Sequence, residues 1–227
     1  MRSYRTSEGP FREAVRYEDK DIERICGDAL REQSLFPSKP EPIRIERFLE
    51  KRFGVHAEYE EMKEGVLGYT RFGRKGAEGL YLSKALADDK SIPASRRLRA
   101  TVAHEGGHML LHGHLFALDM LTTGSIFDNH PDFTRTHILC RDQKSNRPWW
   151  EIQANKCIPA LLLPQSLVAM AVEPFLVSQG NFGFKTIADA VRDQVTRDLA
   201  RTFDVNGQVV GFRLDALYPR AGGQLTL

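Results

Sequence analysis

The chain has 227 residues, of which 41% are hydrophobic and 27% charged, a globular balance that excludes both a disordered polymer and a membrane-embedded bundle. With 32 Lys and Arg against 30 Asp and Glu, the formal charge is +2, too small to make nucleic acid the expected main partner. The three cysteines, Cys26, Cys140 and Cys157, are odd in number and widely spaced, which is no disulfide framework and points to a reducing, cytoplasmic setting.

Residues 1–21 carry charges throughout without an apolar core, so neither a signal peptide nor a membrane anchor is expected, and no later apolar run reaches spanning length. Ile22, Ile25, Cys26, Ala29 and Leu30 recur at helical spacing and predict an amphipathic helix ending before Pro37, followed by a linker over 37–42. Ile45, Phe48, Leu49 and Phe53 predict a second helix with Gly54 as its C-terminal stop. Three short segments, 55–59, 66–72 and 79–83, are rich in aromatic and branched residues and read as a small antiparallel sheet.

From 94 to 111 the pattern is helical again, with Leu98, Val102, Met109 and Leu110 as an apolar stripe that can pack on that sheet. The stretch 113–147 has mixed character, with turn residues around Gly124 and Asn129 and a strand-like run at 136–140. Another helix should begin near 146–148 and end before Pro164, with Pro159 bending or breaking it. Beyond Gln165 a helical region is expected: Ile187, Val191, Val195 and Leu199 at four-residue steps, a turn at 204–206, then a last helix with Val210, Leu214 and Leu217 inward. The expected class is therefore α+β, a small antiparallel sheet packed against one helix and further helices. Its organisation is an N-terminal helical extension over 1–38, a central domain over 39–165 and a C-terminal helical region over 166–227.

His104, Glu105, Gly106, Gly107 and His108 form an H-E-x-x-H pattern inside the predicted helix over 94–111. Residues four apart lie on one helical face, so two imidazoles can address one ion from a rigid support. Zinc accepts imidazole and carboxylate ligands and, in catalytic sites, leaves one of four positions for water. Mn2+ or Fe2+ could substitute. Glu105, adjacent to the first ligand, is placed to act as general base. Two glycines in a helix interior cost roughly 1 kcal/mol each relative to alanine and imply a packing or access reason.

A third protein ligand is needed. His114 occupies the last position of the longer H-E-x-x-H-x-x-G-x-x-H pattern, but Leu111 stands where that pattern has its helix-breaking glycine. His112 continues the face of His104 and His108, a further helical rise of about 6 Å away. Glu151 lies on a separate predicted helix with Ala154 and Asn155 behind it, the arrangement of two-His, one-Glu zinc enzymes, and is the favoured ligand.

The stretch from Arg99 through His104, Glu105 and His108 to His112, with Glu151, Ala154, Asn155 and the Leu-rich run 160–164, resembles the ImmA/IrrE family of zinc metallopeptidases. The resemblance covers more than half of the chain. It implies His104, His108 and Glu151 as metal ligands, Glu105 as catalytic base and a small sheet, here 65–83, before the metal helix. It further implies a narrow endopeptidase whose substrate is a helix-turn-helix transcriptional repressor cleaved in response to stress, and it likens 199–214 to a helix-turn-helix-like tail. Direct DNA binding is not expected, since Gln208, Arg213 and Asp215 offer too little positive charge on the last helix. The alternative reading is a metal-binding regulatory or toxin-antitoxin-type protein that docks a repressor without cutting it.

Further residues carry weaker expectations. Thr101, one turn before His104, could equally support a ligand or serve packing, and Asn155 and His112 could support a ligand. His112, His130 and Tyr81 are candidates for stabilising an oxyanion. Trp149 and Trp150 read as cleft lining or core, and His137 with Cys140 as a buried strand without a role in metal binding.

Overall fold

The structure, a computed structural model, describes residues 2–5, 13–73, 75–117, 148–179 and 184–220. Its class is α+β. The chain opens with a hairpin of β1 (Arg2–Arg5) and β2 (Glu13–Arg16), then runs through α1 (Asp19–Glu32) and α2 (Ile45–Phe53). A three-stranded sheet follows, built from β3 (Ala57–Glu60), β4 (Gly68–Gly73) and β5 (Gly76–Ser83), and leads through the short α3 (Lys84–Asp88) into the long α4 (Ile92–Leu111). After α5 (Trp149–Leu162) and α6 (Gln165–Val172) come a second hairpin, β6 (Leu176–Gln179) with β7 (Phe184–Ile187), and the helices α7 (Asp189–Thr202) and α8 (Gly207–Leu217). Among the described residues, no single helix is long and apolar enough to cross a membrane.

Local sequence explains most boundaries. Gly54 ends α2 in the left-handed region at φ 69°, where a Cβ would be strained. The Ser91 hydroxyl accepts the Ala94 N–H at the start of α4, and Pro93 sits in the first turn, where a missing N–H loses no helical bond. Asp204, also left-handed at φ 52°, turns the chain between α7 and α8 and is held by Arg96 and Arg99 of α4.

Two expectations are corrected. The central sheet is mixed rather than antiparallel: its order is β3-β5-β4, with β3 parallel to β5. The physical reason is burial. Leu80, Tyr81 and Leu82 of β5 are buried and take the centre, whereas β3 carries Glu58 and Glu60 and takes an edge, where charge is tolerated and discourages further pairing. Pro159 does not break α5: one lost backbone bond is outweighed by the burial of Cys157, Ile158, Ala160, Leu161 and Leu162 on the same helix. The C-terminal region is helical as expected, and each terminal region also contains a hairpin whose strands are only four residues long. The strand-like run 136–140 lies outside the described residues.

One buried cluster joins all three expected segments, including Ile22 and Leu30 from the first, Phe48 and Leu82 from the second, and Phe203 and Leu214 from the third. Arg213 of α8 reinforces this by donating to the Leu163 carbonyl (2.9 Å) and to Glu23 of α1 (2.6 Å). The cation of the last helix is thus directed inward.

Two glycines set the spacing around α4. A Cβ on Gly107 would lie 2.7 Å from Cys157 Cβ and 3.1 Å from the Ala154 carbonyl oxygen, so α4 and α5 approach at backbone contact. A Cβ on Gly68 would lie 2.9 Å from Thr101 Cγ2, so β4 packs on another face of α4 against that side chain. Gly107→Ala should therefore lower unfolding stability by about 1–3 kcal/mol through overpacking against backbone that cannot give way. Gly211→Ala, inside α8 with nothing within 4 Å of the added methyl, should raise it by about 0.5–1 kcal/mol. Denaturant titration of the two variants checks the opposite signs, and the same sign for both would refute the packing argument.

Candidate metal centre

The four-residue repeat of α4 places His104, His108 and His112 on one face, and the close approach at Gly107 brings the first turn of α5 opposite them. His104 Nε2 lies 3.1 Å from His108 Nε2. Glu151 reaches in from α5 with Oε2 3.2 Å from His104 Nε2 and Oε1 3.3 Å from His108 Nε2. His104, His108 and Glu151 form a buried group that could hold a metal ion.

The donor set fits such an ion on two counts. Ligands about 2.0–2.1 Å from a tetrahedral zinc ion lie about 3.3–3.4 Å from one another, close to the separations found here. The second count is polar satisfaction: both Glu151 oxygens are buried without a hydrogen-bond partner of proper geometry, although two ring nitrogens stand beside them. Buried carboxylates left in this way are costly unless a cation resolves them.

Charge supports the same conclusion. Burial presses the Glu151 carboxyl upward, but the neighbouring imidazoles reverse this and hold it well below the usual carboxylate range, so it is an anion. Burial lowers His108, favouring the neutral ring that ligates metals. Burial acts on His104 in the same sense, yet Glu151 and Glu105 outweigh it and raise that ring, so cation and proton compete there.

Each histidine of this group is gripped through its other nitrogen. His104 Nδ1 lies 3.2 Å from Asn155 Oδ1, one helical turn beyond Glu151 on α5. His108 Nδ1 lies 3.1 Å from His112 Nδ1, and His112 Nε2 lies 3.0 Å from Gln153 Oε1. Metal-bound histidines characteristically have such partners, which fix the tautomer and the ring plane.

Glu105, only 1% exposed, accepts a 2.8 Å hydrogen bond at Oε2 from the Thr70 hydroxyl of β4. Burial pushes its carboxyl up to about 7, while His104 and Thr70 pull in the opposite direction. Sequence reasoning missed Thr70 and Gln153. The signal for Thr70 is present in β4, where Gly68, Thr70 and Phe72 alternate inward and a lone hydroxyl breaks an apolar row.

Other expected residues lie elsewhere. The Thr101 hydroxyl donates back to the Arg97 carbonyl (3.0 Å) and its methyl packs at Gly68, so it supports helix packing rather than a ligand. Tyr81 pairs in register with Tyr69 and stacks on it at 4.8 Å, on the sheet face opposite Thr70, and so is no oxyanion donor to this centre. His112 is engaged with His108 and Gln153 instead of facing an oxyanion. His114 is exposed and outside the ligand group. Trp150 is buried core, and Trp149 packs edge-on against His112 with centroids 5.5 Å apart. His130, His137 and Cys140 fall outside the described residues.

Adding one equivalent of zinc to metal-free protein should raise its thermal midpoint, because an ion that binds only the folded chain stabilises it by mass action. Glu151→Ala should weaken zinc affinity by more than the 10–100-fold typical of losing an outer hydrogen-bond partner. Calorimetry on wild type and variant checks both, and equal zinc affinity would remove Glu151 from the centre.

No protein-family model matches this chain, and a search of the curated proteins finds no match to it.

Proposed function

We propose that this protein is a zinc-dependent metalloendopeptidase that hydrolyses a peptide bond in a protein substrate. The observation that carries this reading is a three-ligand group with a fourth, non-ligating carboxylate beside it: His104, His108 and Glu151 converge, while Glu105 is held apart by Thr70. Structural zinc sites use four protein ligands, whereas catalytic ones use three and leave a position open. The substrate class to try first is a helix-turn-helix repressor, which the ImmA/IrrE resemblance implies, and the setting is cytoplasmic.

Held by these three side chains, a divalent cation would supply Lewis acidity, polarising a carbonyl and acidifying water. The rest of the work falls to the chain. Glu105 takes the proton of the attacking water on the oxygen not bonded to Thr70 and returns it to the leaving amine. A carboxyl raised to about 7 suits both transfers at neutral pH, because a proton-transfer group works best with its pKa near the operating pH. Thr70 fixes the direction of that carboxylate, and Asn155 and His112 hold the planes of the two ligating rings.

One observation favours a second reading, a non-cleaving protein that uses its metal for stability and docks a repressor. His104, Glu105 and His108 are at most 1% exposed and Glu151 only 6%, so a peptide must displace part of the fold to reach them. Glu105 separates the two readings. Glu105→Gln should retain zinc and lose about 10²–10⁴-fold in turnover of a repressor substrate if it transfers protons. Unchanged cleavage would reject the base, and no cleavage by wild type would favour docking.

The pH profile gives a further check. Activity needs the ionised form of Glu105, so it should rise with pH as this group loses its proton, at or below about 7 because a bound cation draws the value down. Thr70→Val removes a hydrogen bond that favours the ionised form and should move this acidic limb to higher pH. A limb that stays in place, or moves down, would show that Thr70 does not act on the base.

A further inference from the structure

Beneath the ligands lies a chain of polar groups that links the metal centre to the N-terminal hairpin. It begins at the Val15 backbone carbonyl of β2, which accepts from Gln153 Nε2 at 2.8 Å. A carbonyl cannot donate, and the opposite amide orientation would set two oxygens 2.8 Å apart, so the orientation of Gln153 is dictated. Its Oε1 therefore faces His112 Nε2 at 3.0 Å and can only accept, which puts the ring proton of His112 on Nε2.

Complete burial disfavours a charged ring at His112, and a neutral imidazole carries one N–H, so with that proton on Nε2 its Nδ1 presents a lone pair to His108 Nδ1 at 3.1 Å. His108 then carries its proton on Nδ1 and directs the lone pair of Nε2 at His104 Nε2 and Glu151. Every member of the chain is buried: Val15 5%, Gln153 7%, His112 and His108 0%. Its anchor is fixed from the other side as well, since the Tyr17 hydroxyl, just after β2, donates to the Leu111 carbonyl at the end of α4 (3.4 Å).

We infer that His112 and Gln153 are positioning residues that set the tautomer of His108 through a relay anchored on the Val15 carbonyl, making the N-terminal hairpin part of the metal centre's support. This rests on the metal-centre reading above. The neighbouring ligand shows the same logic in shorter form, because Asn155 Oδ1 faces His104 Nδ1 directly. The longer route is needed for His108 because its Nδ1 faces a ring that can either donate or accept, and only the fixed amide beyond it selects the accepting form.

Two measurements on the full-length protein test the relay. Zinc affinity, read by competition with a chromophoric chelator, should fall about 10–100-fold in His112→Leu, which offers no acceptor to His108. His112→Gln, whose amide oxygen can accept in its place, should stay within about tenfold of wild type. A merely structural role predicts no such rescue. Nitrogen-15 NMR of the wild-type histidine rings, without and with zinc, should show His112 protonated on Nε2 and His108 on Nδ1; this decides the matter even if a variant fails to fold. Wild-type zinc binding with equal affinity in His112→Leu, or a His112 ring protonated on Nδ1, overturns the relay and leaves the metal centre standing. A wild type that binds no zinc removes the metal centre, while the ring protonation in that metal-free protein still decides the relay.

Discussion

Two imidazoles and a carboxylate brought within 3.1–3.3 Å of one another inside a protein core repel or compete for protons unless something positive joins them. The fold accepts this arrangement and builds around it. Gly107 lets α5 approach α4 at backbone contact, which carries Glu151 over the histidines, and Gly68 lets β4 lie close on the other side, near enough for Thr70 to hold Glu105. The centre is therefore a consequence of two helix and strand approaches that a single methyl group would obstruct.

The polar groups in this region divide between those that would meet a cation and those that hold them. His104, His108 and Glu151 belong to the first kind. Asn155, which faces His104, and His112 and Gln153, which follow in series behind His108, belong to the second, so the unbalanced charge and lone pairs gather at one point. Outer groups of this kind keep donor atoms within narrow limits, where geometry set by loosely held side chains would drift. Glu105 shares the burial but not the cluster, and a carboxyl poised near neutrality beside a three-ligand group is the combination expected of a proton-transfer site.

Much of this was legible in the sequence because it is local. The H-E-x-x-H spacing determines which residues share a helical face, Gly54 marks the end of α2, and the apolar periods of α1 and α2 match the observed helices, as does that of α7 from Val191 onward, whereas Ile187, expected at its start, ends β7. What escaped depends on tertiary placement. Whether β3 pairs with β4 or β5 is decided by which strand is most buried, not by any one segment's pattern. Thr101 and Thr70 look equivalent in the sequence, yet only Thr70 faces Glu105, because strand register rather than helical spacing decides it. Gln153 reaches His112 only once two helices and a hairpin are assembled. Pro159 shows the converse, a strong local signal overruled by burial on the rest of its helix.

The most direct test of the central claim is X-ray absorption at the zinc edge on protein loaded with one equivalent of the metal. The account predicts a low-coordinate site of nitrogen and oxygen donors only, with the multiple-scattering signature of two imidazole rings. A sulfur shell from a cysteine, or an all-oxygen site without imidazole scattering, would contradict it.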